Sequence, residues 1–204
     1  GVMVAAEMGW GSIPVLLLVS LVSFSIMKLI PGDPAILIGG PSATNAGLDQ
    51  IRRNLGLDQP FLVQMGRYYG GLAKGDLGTS LLLGKPVLGA VIERIPISLS
   101  IAIYAMVLTL GIGITCGALA ALRANTWVDQ AAMAFALIGV SLPNFWLGLM
   151  LIILFAVHLG WLPTGGYVPF TEDPIAWFRT ATLPAVSLAL LQIGLLARIT
   201  RSTM

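Results

Sequence analysis

Four stretches of this 204-residue chain carry no ionic side chain: residues 8–27, 95–122, 130–157 and 180–197. A helix rises about 1.5 Å per residue and the hydrocarbon core of a bilayer is about 30 Å thick, so roughly 17–25 apolar residues suffice to cross it. All four stretches are long enough. The rest of the composition agrees: 10% of residues are charged, 57% are hydrophobic and the mean hydropathy is +0.92, whereas a soluble domain is about one quarter charged. The expected fold is all-α, a polytopic transmembrane helical bundle with four spans in a lipid bilayer. Such a chain is neither a soluble enzyme nor a disordered tail. It has no dense basic face, so no nucleic acid partner is expected. The first stretch lacks a basic leader and is too long for a signal-peptide core, so it reads as a retained helix. The lone Cys116 can form no intrachain disulfide.

The positions of Lys and Arg orient the spans, because basic residues in short connections stay on the cytoplasmic side. Arg123 falls between spans two and three, and Arg198 and Arg201 follow span four. These three mark the cytoplasmic face. Residues 158–179 then lie outside, where Glu172 and Asp173 outweigh Arg179. Residues 31–94 also lie outside, although they hold six basic and five acidic side chains. A segment of that length is near the limit at which the charge rule weakens. The organisation expected is residues 1–30 for the N-terminal region and first span, 31–94 for an external segment with short helices, and 95–204 for spans two to four.

Within the external segment, Leu48, Ile51 and Leu55 recur at helical spacing and Gly56 supplies a stop. Phe61, Leu62, Met65, Tyr68, Tyr69 and Leu72 form the stripe of an amphipathic helix opened near Pro60, which either lies on the membrane or packs on the spans. Gly75, Asp76 and Gly78 mark a turn, and Pro86 opens a helix over 87–94 that runs into span two through Pro96. Span three contains Ser141-Leu142-Pro143-Asn144. Pro143 predicts that the helix kinks or breaks there, facing protein or a watery cavity that satisfies the freed carbonyl. Thr126, with Asp129 three residues on, has the spacing of an N-terminal cap. Pro184 is expected near the start of span four.

Several chemistries have no residues to perform them. The sequence has no phosphate-binding G-x-x-x-x-G-K-[ST], no H-E-x-x-H and no G-x-S-x-G. With one His and one Cys it has no His/Cys metal cage, so no metal, cofactor or catalytic residue is expected. His158 reads as an interfacial residue. No ionisable residue lies within the uncharged stretches, which disfavours a proton relay and favours a neutral or zwitterionic solute. The polar residues left inside them include Ser98, Ser100, Tyr104, Thr109, Thr115, Ser141, Asn144, Ser187 and Gln192. Hydroxyls can bond their own helix carbonyls. Asn144 and Gln192 are harder to bury, and either line a pathway or join helices. Gly113 and Gly117 form a small-x-x-x-small surface suited to close helix packing.

Eight motifs occur in order along nearly the whole chain: IPGDPA at 30–35, LGLDQP at 55–60, GDLGTS at 75–80, ERIPISL at 93–99, GVSLPNFWLG at 139–148, LGWLPTGGY at 159–167, LPAVSLAL at 183–190 and ARITRSTM at 197–204. Together they resemble the inner-membrane permease subunits of ATP-binding-cassette importers for dipeptides, oligopeptides, glutathione or nickel. The resemblance implies a bacterial inner-membrane, multi-pass protein that is itself no enzyme. It implies four kinds of surroundings: a second permease subunit, two cytoplasmic ATP-binding subunits, an external solute-binding protein and the bilayer. It places Ser141, Asn144 and Gln192 along the substrate pathway. In that family an ATPase-docking helix and at least two more spans follow the ARITRSTM-like segment, so a fragment of a longer permease is expected. The alternatives are a membrane scaffold or assembly protein, or a non-functional permease fragment.

Overall fold

The computed structural model describes residues 2–80 and 83–204. The chain divides into two compact units, Gly1–Ile92 and Glu93–Met204. All regular structure among the described residues is helical, apart from one isolated bridge between Thr79 and Pro86.

In the first unit, α1 (Val2–Leu29) is apolar on all sides and buries none of its residues. Short helices follow, each with a local reason to start and stop. The Asp33 carboxylate caps α2 (Pro34–Gly39) by accepting from Ala35 N at 3.0 Å, with Pro34 in the first turn. Thr44 caps α3 (Asn45–Leu55) by accepting from Gly47 N at 3.2 Å. Gly56 ends α3 in the left-handed region at φ 70°, where a side chain would be strained. Arg52 of α3 donates from Nε to Asp33 at 2.7 Å and from Nη1 to Asp49 at 2.6 Å, tying α3 to the cap of α2. That guanidinium, followed by the Ala35 amide, holds the Asp33 carboxyl below the usual carboxylate range.

The amphipathic helix is α4 (Phe61–Ala73), with Pro60 at its cap rather than inside its first turn. It packs on α1. Tyr69 and Ser20 share a hydroxyl hydrogen bond at 3.0 Å, the Phe24 ring lies 5.6 Å from Phe61 and 5.2 Å from Tyr68, and Lys28 donates to Gln64. Asp76 closes the turn after α4 by accepting from Gly78 N at 2.8 Å.

The helix opened after Pro86 and span two are one continuous element, α5 (Val87–Leu122), which passes Pro96 without a break. In the second unit, α6 (Trp127–Ser141) and α7 (Asn144–Leu151) follow, the latter continued by a π-helical stretch, Ile152–His158. The last helix is α8 (Pro174–Thr203). Helices α1, α5 and α8 are each long and apolar enough to cross a membrane. The α6 arm and the 144–158 arm qualify only together, and they meet at 105°. The expected span three is therefore a sharply broken element, not a kinked helix.

Two sequence expectations are corrected. Pro184 lies inside α8, because Asp173 caps that helix eleven residues earlier by accepting from Ile175 and Ala176, with Pro174 in the first turn. Thr126 occupies the cap position of α6 but makes no capping bond; its hydroxyl donates back to Arg123 O. The Asp129 carboxylate reaches back instead, accepting from Asn125 N at 3.0 Å. Asn125 adopts φ 61°, a left-handed turn conformation that Asn tolerates.

Candidate functional site

The second unit is built on the small-residue face of α8. Ala185, Ala189 and Ile193 bury with Ala105 of α5, flanked by Ile101, Tyr104 and Leu108. A Cβ on Gly117 would stand 2.5 Å from Ala197 O, and one on Gly113 would stand 3.1 Å from the Leu196 side chain. The α5 backbone thus approaches α8 as closely as a backbone can. Two further glycines, which the sequence reading passed over, do the same between α6 and α8: a Cβ on Gly139 would lie 2.7 Å from Leu190 O, and one on Gly194 2.5 Å from Ala136 O.

Hydroxyl groups add cross-links. Tyr104 pairs with Thr182 at 3.1 Å and Ser100 with Tyr167 at 2.8 Å, so the connection between the π-helical stretch and α8 is pinned to α5. Tyr104, Phe170, Trp177 and Phe178 stack edge to face beside them, with centroids 4.8–6.5 Å apart. The buried Trp177 indole N–H has no hydrogen-bond partner among the described residues. A half-open pocket of about 140 Å³ lies near the break, with Gly148, Ile152, Thr164, Gly166, Thr180 and Ser187 on its walls. No charged side chain lines it, and its size suits one small side chain or a few waters.

At the break, Leu142 is extended and Pro143 starts α7. Proline drives the preceding residue out of the helical region, which is why the chain turns there. Ser141 is exposed and donates to Leu137 O at 2.7 Å, the local bond that hydroxyls in helices favour. Asn144 and Gln192 are exposed on an otherwise apolar surface. Pro143 is exposed as well.

Arg123 and Arg198 are exposed, but Arg201 is not a free topological marker. Its Nε donates to Asp129 Oδ1 at 2.6 Å and its Nη2 to Oδ2 at 2.7 Å, a forked ion pair that joins the last turn of α8 to the first turn of α6. Asp129 is buried. In α1 and α8 the uncharged stretches are thus the middles of longer helices whose ends carry ionic groups. No cluster of three or more His, Cys, Asp or Glu side chains among the described residues could hold a metal.

These features define an all-α multi-pass membrane protein whose second unit is assembled on small-residue helix contacts. Two family models place it further. Residues 6–102 match the N-terminal part of the binding-protein-dependent transport system membrane component, and residues 113–204 match the binding-protein-dependent transport system inner membrane component. The chain belongs to this family. It is 50% identical over 193 residues to a Brucella suis protein provisionally named a peptide transport system permease, which covers 95% of this chain and 62% of that relative. It is 40% identical over 216 residues to Escherichia coli DdpB, provisionally a D,D-dipeptide transport system permease, covering 96% of this chain and 64% of the relative. Identity to the glutathione transport system permease GsiC of Salmonella paratyphi A is 39% over 193 residues, covering 95% and 60%. The chain therefore spans about three fifths of the length of these curated relatives.

Proposed function

We propose that this chain forms part of the membrane passage of an ATP-driven importer for peptides or a similar small solute, in the inner membrane of a bacterium. In this reading an external solute-binding protein delivers the solute, a second permease subunit completes the passage and two cytoplasmic ATP-binding subunits supply the energy. The observation that carries the reading is the pair of family matches, which run in order along the chain and are joined by relatives named as peptide, D,D-dipeptide and glutathione transport permeases.

Residues 1–30 provide the first span, 31–94 the external helices and 95–204 the remaining spans. Ser141 and Asn144, which flank the break at Pro143, and Gln192 on α8 are assigned to the passage wall because each places an exposed polar group on an apolar helix. Arg123, Arg198 and Arg201 mark the cytoplasmic end. The uncharged middles of the helices suit a neutral or zwitterionic solute.

Uptake of radiolabelled dipeptide and of glutathione by cells lacking the gene tests this directly. Loss of uptake of either solute, restored by the full-length gene, is the expected result. Unchanged uptake of both, together with failed assembly of another membrane complex, is what a scaffold would give.

A further inference from the structure

The Asp129 carboxylate is 7% exposed and Arg201 is 35% exposed, and one turn back along α8 Ala197 is fully buried. Leu122 and Trp127, at the same end, are 74% and 76% exposed. The forked pair, with the Asn125 amide as its third donor, ties α6 to α8 at this end. A close glycine contact, Gly194 against Ala136 O, lies seven residues along α6, about 10 Å away. Gly139 against Leu190 O follows.

Beyond these contacts both helices meet a proline. Pro143 sits in the break after α6, and Pro184 interrupts the amide ladder of α8. A Cβ on Gly148 would stand 3.9 Å from the Ser187 side chain, and both residues line the small pocket. The two helices are thus clamped over a stretch bounded by an ion pair at one end and by a weak point in each helix at the other.

We propose that Asp129 and Arg201 are positioning residues of the transport cycle. They make α6 and the C-terminal half of α8 one rigid piece, so that a displacement applied at the C-terminal end of α8 travels along α6 and is taken up at Pro143 and Pro184. The inference rests on the permease reading above. An arginine fork on a carboxylate suits the task, because two parallel hydrogen bonds fix orientation as well as distance. The helix ends favour this polarity too, with the acid in the first turn of α6 and the base in the last turn of α8.

The test uses the full-length permease with its partners in proteoliposomes, comparing wild type, Asp129→Asn, Arg201→Lys and the exchange Asp129→Arg with Arg201→Asp. ATP hydrolysis and labelled dipeptide uptake are measured on the same samples. In both single variants, hydrolysis persists while uptake per ATP falls about tenfold or more. The exchanged pair recovers part of the uptake, incompletely because each charge then opposes its helix dipole. Spin labels on Gln130 and Ser202, in a Cys116→Ser background, read the clamp without reference to transport. Their separation is narrow in wild type in every nucleotide state and broad in Asp129→Asn.

Unchanged uptake per ATP in both single variants would overturn the proposal. So would parallel loss of uptake and hydrolysis in step with loss of assembled complex, and so would label distances that Asp129→Asn does not alter. A wild-type complex that moves no peptide would strike the permease reading and the coupling role with it, while the label distances would still report whether the pair clamps α6 to α8.

Discussion

Helices α1 and α8 are nearly equal in length, 28 and 30 residues, and both are apolar enough to cross a bilayer, yet α1 buries none of its residues while α8 buries eight. Small side chains account for the difference. Five of the eight residues α8 buries are Ala or Gly, which let α5 and α6 come to backbone contact, whereas α1 presents Leu, Val and Ile around its circumference. Apolar bulk carries no drive to associate in lipid, because lipid tails are as apolar as leucine. Hydropathy finds both helices; the small-residue pattern decides which one packs within its unit. What α1 has instead are ring and hydroxyl contacts to α4.

Glycine substitution separates the two cases most strongly. Gly194→Ala puts a methyl 2.5 Å from Ala136 O and is expected to cost about 1–3 kcal/mol as α6 and α8 move apart. Gly9→Ala in α1 meets nothing within 4 Å and gains helix propensity, stabilising by up to about 1 kcal/mol. Unfolding midpoints in detergent measure both, and equal shifts of the same sign would remove the contrast.

Hydroxyl ties should differ much less between the units. Tyr104→Phe and Tyr69→Phe each delete one cross-contact, and Thr182 and Ser20 keep their bonds to Phe178 O and Leu17 O. Each is expected to cost about 0.6 kcal/mol. A much larger loss for Tyr69→Phe would mean that α1 depends on its polar tie more than α8 does on its own.

The smallest effect expected is a dependence on pH in α2 and α3. The Arg52 guanidinium and the Ala35 amide hold Asp33 below its unfolded value of about 3.9, so its contribution is complete above that pH and is lost as pH falls through the lower folded value. Hydrogen exchange in α2 and α3 should accelerate only below the ordinary carboxylate range. In Asp33→Asn it should be fast already at neutral pH and flat in acid.

Local signals in the sequence read well. Gly56 ends α3, the aromatic stripe becomes α4, and Pro143 breaks the chain where its ring forbids a continuing helix. Charge-free stretches located the helix middles but not their ends, because Asp173 begins α8 well before its apolar run and so leaves Pro184 in the interior. Contacts across long separations were not legible. Asp129 and Arg201 are 72 positions apart and resemble, one at a time, a helix cap and a basic tail. Gly139 and Gly194 lack the four-residue spacing that drew attention to Gly113 and Gly117. Neither Ser141, Asn144 nor Gln192 is drawn into the packed face, and their assignment to a passage rests on exposed polarity and family membership.

The central claim, that the polar positions beside the break line a solute passage, is tested most directly by labelling Asn144→Cys and Gln192→Cys with a membrane-impermeant, water-soluble thiol reagent. The background is Cys116→Ser, and the sample is the full-length, assembled complex in its resting and nucleotide-bound states, with Leu149→Cys, exposed and apolar, as a lipid-facing control. The account predicts that both polar positions are labelled, to an extent that changes with state and falls when solute is present, while position 149 stays unlabelled. Inaccessibility of both polar positions in every state would contradict it.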